Sequence, residues 1–294
     1  MLDEKAYHGR VELGNTMPAM GLGVVVAAGS NNKLKVGSKC LGLLGAQTVA
    51  KVTPGPEGPM AVAKLPGVPL SSSLGMLGLT TGFTAWMGIF RVAQKPKKGD
   101  VVVITAAAGA VGHIAAQLAL TTGAKVIGVA GGPEKCDFLT KTLKLDGAID
   151  YKSSTYSVGE QLDALAPDGV DFMLDQVGGE MLDDVLTRVR PNGRIVICGA
   201  ISQYEGNLNH GKVRGPSEYL KLAERGATMK GYNVMQYFSS IPMAIISILW
   251  HWNRGNLTCH EHWESGIEEF PNSMEKMFSG GHIGRLLVKV GSEE

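Results

Sequence analysis

The run Val101-Val102-Val103-Ile104-Thr105-Ala106-Ala107-Ala108-Gly109-Ala110-Val111-Gly112 constrains this chain more than any other stretch. An unbroken series of β-branched residues calls for a strand buried on both faces, which in practice means a parallel sheet covered by helices. A turn of very small residues follows, and Val111–Thr122 reads as the helix it opens. Gly109 lets backbone come close to a pyrophosphate, Gly112 lets the helix sit tightly on the strand, and the first free N–H groups of the helix face the phosphates. Ala107 replaces the first glycine of the usual Gly-x-Gly-x-x-Gly. The motif therefore draws its weight from its setting, with a strand before it and a helix after.

That setting repeats downstream. Strands are predicted at Val101–Thr105, Lys125–Ala130, Gly147–Tyr151, Val170–Asp175, Arg194–Cys198 and Thr228–Asn233, with helices such as Glu134–Leu143 and Met181–Arg190 between them. Alternation of this kind gives an α/β fold with a doubly wound parallel sheet. Residues 1 to about 75 have a different texture, with short apolar stretches such as Gly23–Val26 between turn clusters, and read as a smaller β-rich module. Beyond 235 come a long helix, a segment around Leu257–Trp263, a helix near Pro271–Phe278 and a last strand, Arg285–Val290. The apolar run Ile241–Trp250, with Trp252, reads as helix core.

The second strand of the repeat decides which dinucleotide is expected. An NAD site places a carboxylate at that strand's tip to take the ribose hydroxyls. Here Lys125–Ala130 runs instead into Gly131-Gly132-Pro133-Glu134-Lys135, and Glu134 falls after Pro133, inside the next helix. Small residues leave room for a 2′-phosphate and Lys135 supplies a positive charge, so the spacing points to NADP(H).

Composition excludes several function classes. With 28 Lys+Arg against 27 Asp+Glu, the net charge of +1 gives no long-range reason to bind nucleic acid or an anionic membrane. Glycine, at 40 of 294 residues, is about twice its usual share, as many tight turns require. The four cysteines (Cys40, Cys136, Cys198 and Cys259) form no Cys-x-x-Cys pair, so no disulfide scaffold or structural zinc is expected. Cys259-His260-Glu261-His262 looks like a metal cluster, but on a strand Cys259, Glu261 and Trp263 point to one face and His260 and His262 to the other, so only two histidines would converge. No metal site is expected, and a cytoplasmic protein without a membrane span is.

The residues then carry a resemblance. Gly75–Thr81, Thr105–Gly112, Gly131–Cys136, Asp150-Tyr151-Lys152, Asp175-Gln176-Val177-Gly178-Gly179-Glu180 and Cys198–Tyr204 together resemble the zinc-independent medium-chain dehydrogenase/reductase superfamily. The Cys198–Tyr204 run is similar to the branch of prostaglandin reductases (leukotriene B4 12-hydroxydehydrogenases) and alkenal double-bond reductases. The resemblance runs from about Gly9 to Val290. It implies a Rossmann domain at 79–255 beside a smaller, GroES-like, β-rich substrate domain made of 1–78 and 256–294.

Position by position, the resemblance implies that Gly109, Ala110, Val111 and Gly112 form the pyrophosphate turn and that Lys135 and Tyr151 lie at the 2′-phosphate end. Gln176 stands where the family has Asn. Cys198, Gly199 and Tyr204 belong to the loop passing the nicotinamide, and the backbone of Tyr232, Asn233 and Val234 holds the carboxamide. His282 replaces the cofactor-contacting Asn of an Asn-x-Gly-Lys run. The family also has an N-terminal stretch before the segment matching Tyr7–Arg10, including a tyrosine that faces the substrate. The substrate domain is therefore expected to be N-terminally incomplete.

The implied activity is hydride transfer from NADPH to the carbon–carbon double bond of an α,β-unsaturated aldehyde or ketone. Tyr204 is the expected catalytic residue, donating to the enolate oxygen or relaying the proton with help from the nicotinamide ribose hydroxyl. Two other readings stand beside it. One is an NADPH-binding protein with little turnover because its substrate side is open; the other is a quinone reductase of the neighbouring branch. A homodimer through the Thr228–Asn233 edge of the sheet is also expected.

Overall fold

The computed structural model describes residues 11–30, 33–53, 55, 58–206 and 215–291, leaving out the side chains of 204–206. Tyr7–Arg10 lie outside the described residues. Strands β1 (Met20–Val24), β2 (Lys39–Leu43) and β3 (Met60–Ala61) form a small antiparallel sheet. Then come β4 (Val101–Ile104), β5 (Lys125–Ala130), β6 (Gly147–Asp150), β7 (Val170–Asp175), β8 (Val189–Ile197) and β9 (Thr228–Gly231). These make one parallel sheet in the order β6-β5-β4-β7-β8-β9. The order reverses between β4 and β7, so a crevice opens outside their carboxyl ends. Strands β10 (Glu261–Ser265) and β11 (Arg285–Lys289) pair in parallel.

The helices are α1 (Thr84–Phe90), α2 (Gly112–Leu120), α3 (Pro133–Asp137), α4 (Val158–Leu165), α5 (Gly179–Leu186), α6 (Leu220–Arg225), α7 (Ile241–Asn253) and α8 (Phe270–Ser279). Their starts follow from sequence. Pro133, Pro242 and Pro271 sit in first turns, where a missing N–H costs nothing. Ser157 and Glu160 close a capping box at α4. Among the described residues no helix is long and apolar enough to cross a membrane.

Two apolar cores flank the parallel sheet. One packs α1, α2 and α7 on it through Trp86, Met87, Ile114, Leu118, Phe172 and Ile248; the other packs α4 and α5 through Leu162, Leu182, Val185 and Ile195. Val68, Met76 and Leu257, from the flanking segments, join the first of these cores.

Three expectations need correction. Helix α5 ends at Leu186 rather than Arg190, because Val189 already pairs with Val170 and Pro191 disfavours helix at the residue before it. The segment from Val189 to Gly193 then joins β8 through a register shift, with Asn192 left-handed at φ +62°. Helix α7 is not wholly core: Met243, Ile246 and Trp250 are exposed while Ala244, Ile248 and His251 are buried. The apolar run serves one buried face and leaves a stripe at i, i+3 and i+7 in solvent.

At the amino edge of the sheet Arg194 locks three elements together. Its Nη2 lies 2.5 Å from Asp100 Oδ2, its guanidinium donates to the carbonyl of Asp171, and it stacks over Phe172. Both charges are nearly buried, so removing one strands the other. Arg194→Met should therefore cost about 3 kcal/mol in urea unfolding, and adding Asp100→Asn should recover part of that. A loss below about 1 kcal/mol would mean that the pair behaves as a surface ion pair.

Candidate dinucleotide-binding site

The turn after β4 is built from small residues under tight constraint. Ala106 takes a left-handed conformation at φ +48°, so an alanine rather than a glycine absorbs the sharpest bend. Ala107 is fully buried, and its N–H donates to the carbonyl of Val129 on the next strand at 2.9 Å. The Gly109 N–H donates to the carbonyl of Ala106 at 2.9 Å. A Cβ on Gly112 would lie 2.2 Å from that same Ala106 oxygen, so only glycine lets α2 start here. The N–H groups of Ala110, Val111 and Gly112 have no acceptor among the described residues. Three consecutive unaccepted N–H groups at the start of a nine-residue helix are the donor set a pyrophosphate takes.

Strand β7 supplies the other wall. Thr105 Oγ1 donates to Asp175 Oδ1 at 2.9 Å, and the Asp175 carboxylate also accepts the N–H groups of Val177 and Gly178. The Gln176 backbone donates to Thr105 Oγ1 at 2.8 Å and its Nε2 donates to the Thr105 carbonyl at 2.6 Å. The amide that stands in the family's Asn position thus braces β4 against β7 at the switch point. Burial pushes the Asp175 pKa up while its backbone and hydroxyl donors pull it down.

The expected 2′-phosphate end forms one group. A Cβ on Gly131 would lie 2.8 Å from the Tyr151 ring, so this glycine gives the tyrosine its place. Lys135 Nζ donates to the carbonyl of Gly280 at 2.6 Å, not to a carboxylate. Its pKa is lowered first by burial and then by Lys152, which lies over the Tyr151 ring. Lys152, quoted in the sequence only as part of a run, is therefore a second cation of this end. Asp150 is spent on structure, accepting the N–H of Gly132 at 2.7 Å.

The remaining expected residues are placed as follows. His282 lies near His262, and its buried Nδ1 has no partner among the described residues. Cys198 is a half-buried thiol whose pKa burial raises; its sulfur lies 3.4 Å from the Tyr232 hydroxyl oxygen, to which the S–H can donate. The hydroxyl gives its one proton to the carbonyl of Thr84 at 2.7 Å, so the side chain of Tyr232 anchors β9 to α1 and leaves only its backbone for other roles. Asn233 caps the turn that begins at Val234. Gly199 donates its N–H to the carbonyl of Asp175. Tyr204 belongs to a 3-10 turn, Ile201–Gly206, and its side chain lies outside what is described. Of the Cys259–His262 run, His260 turns to His113 and Phe138 while His262 turns to Glu264 and His282. Among the described residues no group of three or more His, Cys, Asp or Glu gathers to hold a metal.

One buried residue had no signal in the sequence. His113, in the first turn of α2, is fully buried, with Nδ1 2.8 Å from the carbonyl of Gly109 and Nε2 accepting the N–H of His260 at 3.2 Å. A lone histidine in an alanine-rich helix carries no pattern that marks it.

Burial holds the His113 pKa down to about 4, against an ordinary value of 6.5. Between those values the unfolded chain takes up a proton that the folded chain refuses. Its contribution to stability is therefore whole above pH 6.5 and lost as pH falls toward 4. The parent should lose about 2 kcal/mol more than His113→Gln between pH 7 and pH 5 in denaturant titrations. Equal losses in both proteins would contradict a neutral buried imidazole.

Comparison with known proteins gives the family and the fold. A family model described as zinc-binding dehydrogenase matches residues 110–245. The chain is 34% identical over 279 residues to the NADP(+)-dependent 2-alkenal reductase of Nicotiana tabacum, covering 94% of this chain and 78% of that protein. It is 36% identical over 223 residues to prostaglandin reductase 1 of Mus musculus, covering 76% and 66%. Its fold is similar to the crystal structure of CurA from Vibrio vulnificus in complex with NADPH, with a TM-score of 0.85 at 28% identity over 98% of this chain and 84% of that one. The chain belongs to the zinc-independent medium-chain dehydrogenase/reductase superfamily, in its alkenal and prostaglandin reductase branch.

Proposed function

We propose that this chain reduces the carbon–carbon double bond of an α,β-unsaturated aldehyde or ketone with hydride from NADPH. The cofactor is NADP(H). The observation that carries the reading is the pairing of unaccepted N–H groups at Ala110, Val111 and Gly112 with a Lys135–Lys152 cation pair in which Lys135 donates to a carbonyl, with Glu134 only partly offsetting its charge. A pyrophosphate fits the first and a 2′-phosphate the second.

Bound there, the cofactor supplies the hydride. The chain's own part is to bind, orient and stabilise. Gly109, Ala110, Val111 and Gly112 cup the pyrophosphate; Lys135, Lys152 and Tyr151 hold the 2′-phosphate. His282 offers its unpartnered Nδ1, and Gln176, Cys198 and Gly199 line the wall next to the switch point. The backbone of Tyr232, Asn233 and Val234 orients the carboxamide. Tyr204 donates toward the oxygen on which charge develops as the double bond is reduced. The substrate side is the segment before 79 together with that after 255, and the nucleotide side is 79–255.

A specific observation favours a second reading, in which the chain binds NADPH with little turnover. On the β1–β3 sheet Met20, Val24, Leu43 and Met60 are exposed, so the small module offers an uncovered apolar face. Oxidation of NADPH by a small enone such as but-3-en-2-one, run beside an NADPH-binding titration, decides between them. Turnover supports the reductase, and binding without turnover the second reading. In the same assay Lys135→Ala should raise the KM for NADPH by about 10- to 100-fold and leave that for NADH unchanged. Unchanged turnover in Tyr204→Phe would remove that residue's catalytic role.

The whole of β9 is exposed and its outer edge faces no strand among the described residues. An open edge needs cover, and we assign it to a second copy of the chain. Sedimentation velocity should give twice the 31.1 kDa chain mass; a single-chain mass at micromolar concentration would contradict the pairing. The four cysteines are free thiols, in keeping with work in the cytoplasm.

A further inference from the structure

Helix α2 carries two polar side chains that serve the same segment. Gln117 Nε2 donates to the carbonyl of His113, four residues back, and to that of Thr258, and its Oε1 accepts the Thr258 N–H at 2.8 Å. One turn earlier His113 meets the carbonyl of Gly109, also four residues back, and the N–H of His260. A backbone N–H can only donate, so His113 Nε2 is the bare nitrogen and Nδ1 carries the proton it gives to Gly109. The turn and this segment are joined again where the Gly284 N–H donates to the carbonyl of Ala108 at 2.8 Å.

The bond to Gly109 has a geometric consequence. In a trans peptide the carbonyl of one residue and the N–H of the next point in opposite directions. The Gly109 carbonyl is drawn inward by the His113 ring and by the His113 N–H at 3.1 Å. The Ala110 N–H in the same plane must then point outward, to the mouth of the turn. It is one of the three consecutive N–H groups left without an acceptor among the described residues.

We propose that His113 is a positioning residue for cofactor binding. By holding the Gly109–Ala110 peptide in this orientation it aims the Ala110 N–H at the pyrophosphate, and through His260 it sets the turn in register with the chain leading into β10. Resting on the NADP(H) reading above, the proposal adds a group that never touches the cofactor yet sets its affinity.

The test is an NADPH titration followed by fluorescence, with thermal melting of each protein. His113→Phe keeps the ring volume and loses both bonds; it should bind NADPH about tenfold more weakly, with kcat at saturating cofactor within twofold of the parent. His113→Gln can make both bonds, as Gln117 does one turn on, and should bind within about threefold of the parent. Gln117→Leu breaks the neighbouring weld without touching Gly109, so it should lower the melting temperature and leave NADPH affinity unchanged. Parent-like affinity in His113→Phe overturns the proposal. So does a tenfold loss in a folded His113→Gln, the arm that decides if the Phe variant does not fold. An equal loss of affinity in Gln117→Leu overturns it too, by showing that general loosening suffices. A parent that fails to bind NADPH overturns the cofactor reading itself.

Discussion

The contact between α2 and the end of β4 at Gly112 is the constraint on which the rest depends. With no Cβ at that position the helix closes onto the Ala106 carbonyl, and a side chain there would collide with backbone. So close an approach allows only small residues at the contact, which is why Ala115, Ala116 and Ala119 recur along a helix that is buried almost all round. It also fixes where the polar residues of that helix can go. His113 and Gln117 cannot reach water, so each takes backbone partners, from the helix itself and from the segment leading to β10. The mouth of the nucleotide turn is thus set by packing behind it.

Charge is distributed with a matching asymmetry. At the amino edge of the sheet arginines find carboxylates: Arg194 with Asp100, Arg190 with Asp171, and Arg188 with Asp163. At the carboxyl edge Lys135 and Lys152 stand near one another, and Asp150 is occupied by the Gly132 N–H. Half-burying the Lys135 ammonium beside Lys152, with only Glu134 to offset it, is unfavourable for the bare fold and becomes favourable once a phosphate arrives. The same logic covers the unaccepted N–H groups of Ala110 and Val111. The fold settles its own charges at one edge and leaves donors for a ligand at the other.

How much of this could be read in the sequence depended on whether one element or several decided the outcome. Lys125–Ala130 and Val170–Asp175 are found at their expected bounds, because a continuous apolar run between turn residues is a local signal. The end of α5 was not legible, since what stops it is the pairing of Val189 with Val170, a partner on another strand. Trp250 reads as core by composition yet lies on the solvent face of α7, because only packing assigns one stripe of an all-apolar helix to the interior. At the candidate site the glycine turn and Lys135 were marked in the sequence by their spacing along the strand–turn–helix repeat. His113 was not, because its role comes from two backbone groups, one of them 147 residues away.

The central claim is that the amides opening α2 receive the pyrophosphate of NADPH. It is tested most directly by amide-resolved NMR of the isotopically labelled protein during NADPH titration. Saturable shifts should be largest at Ala110 and Val111, with a second group at Gly131–Lys135. Saturable NADPH binding that leaves the Ala110 and Val111 amides unmoved would contradict it.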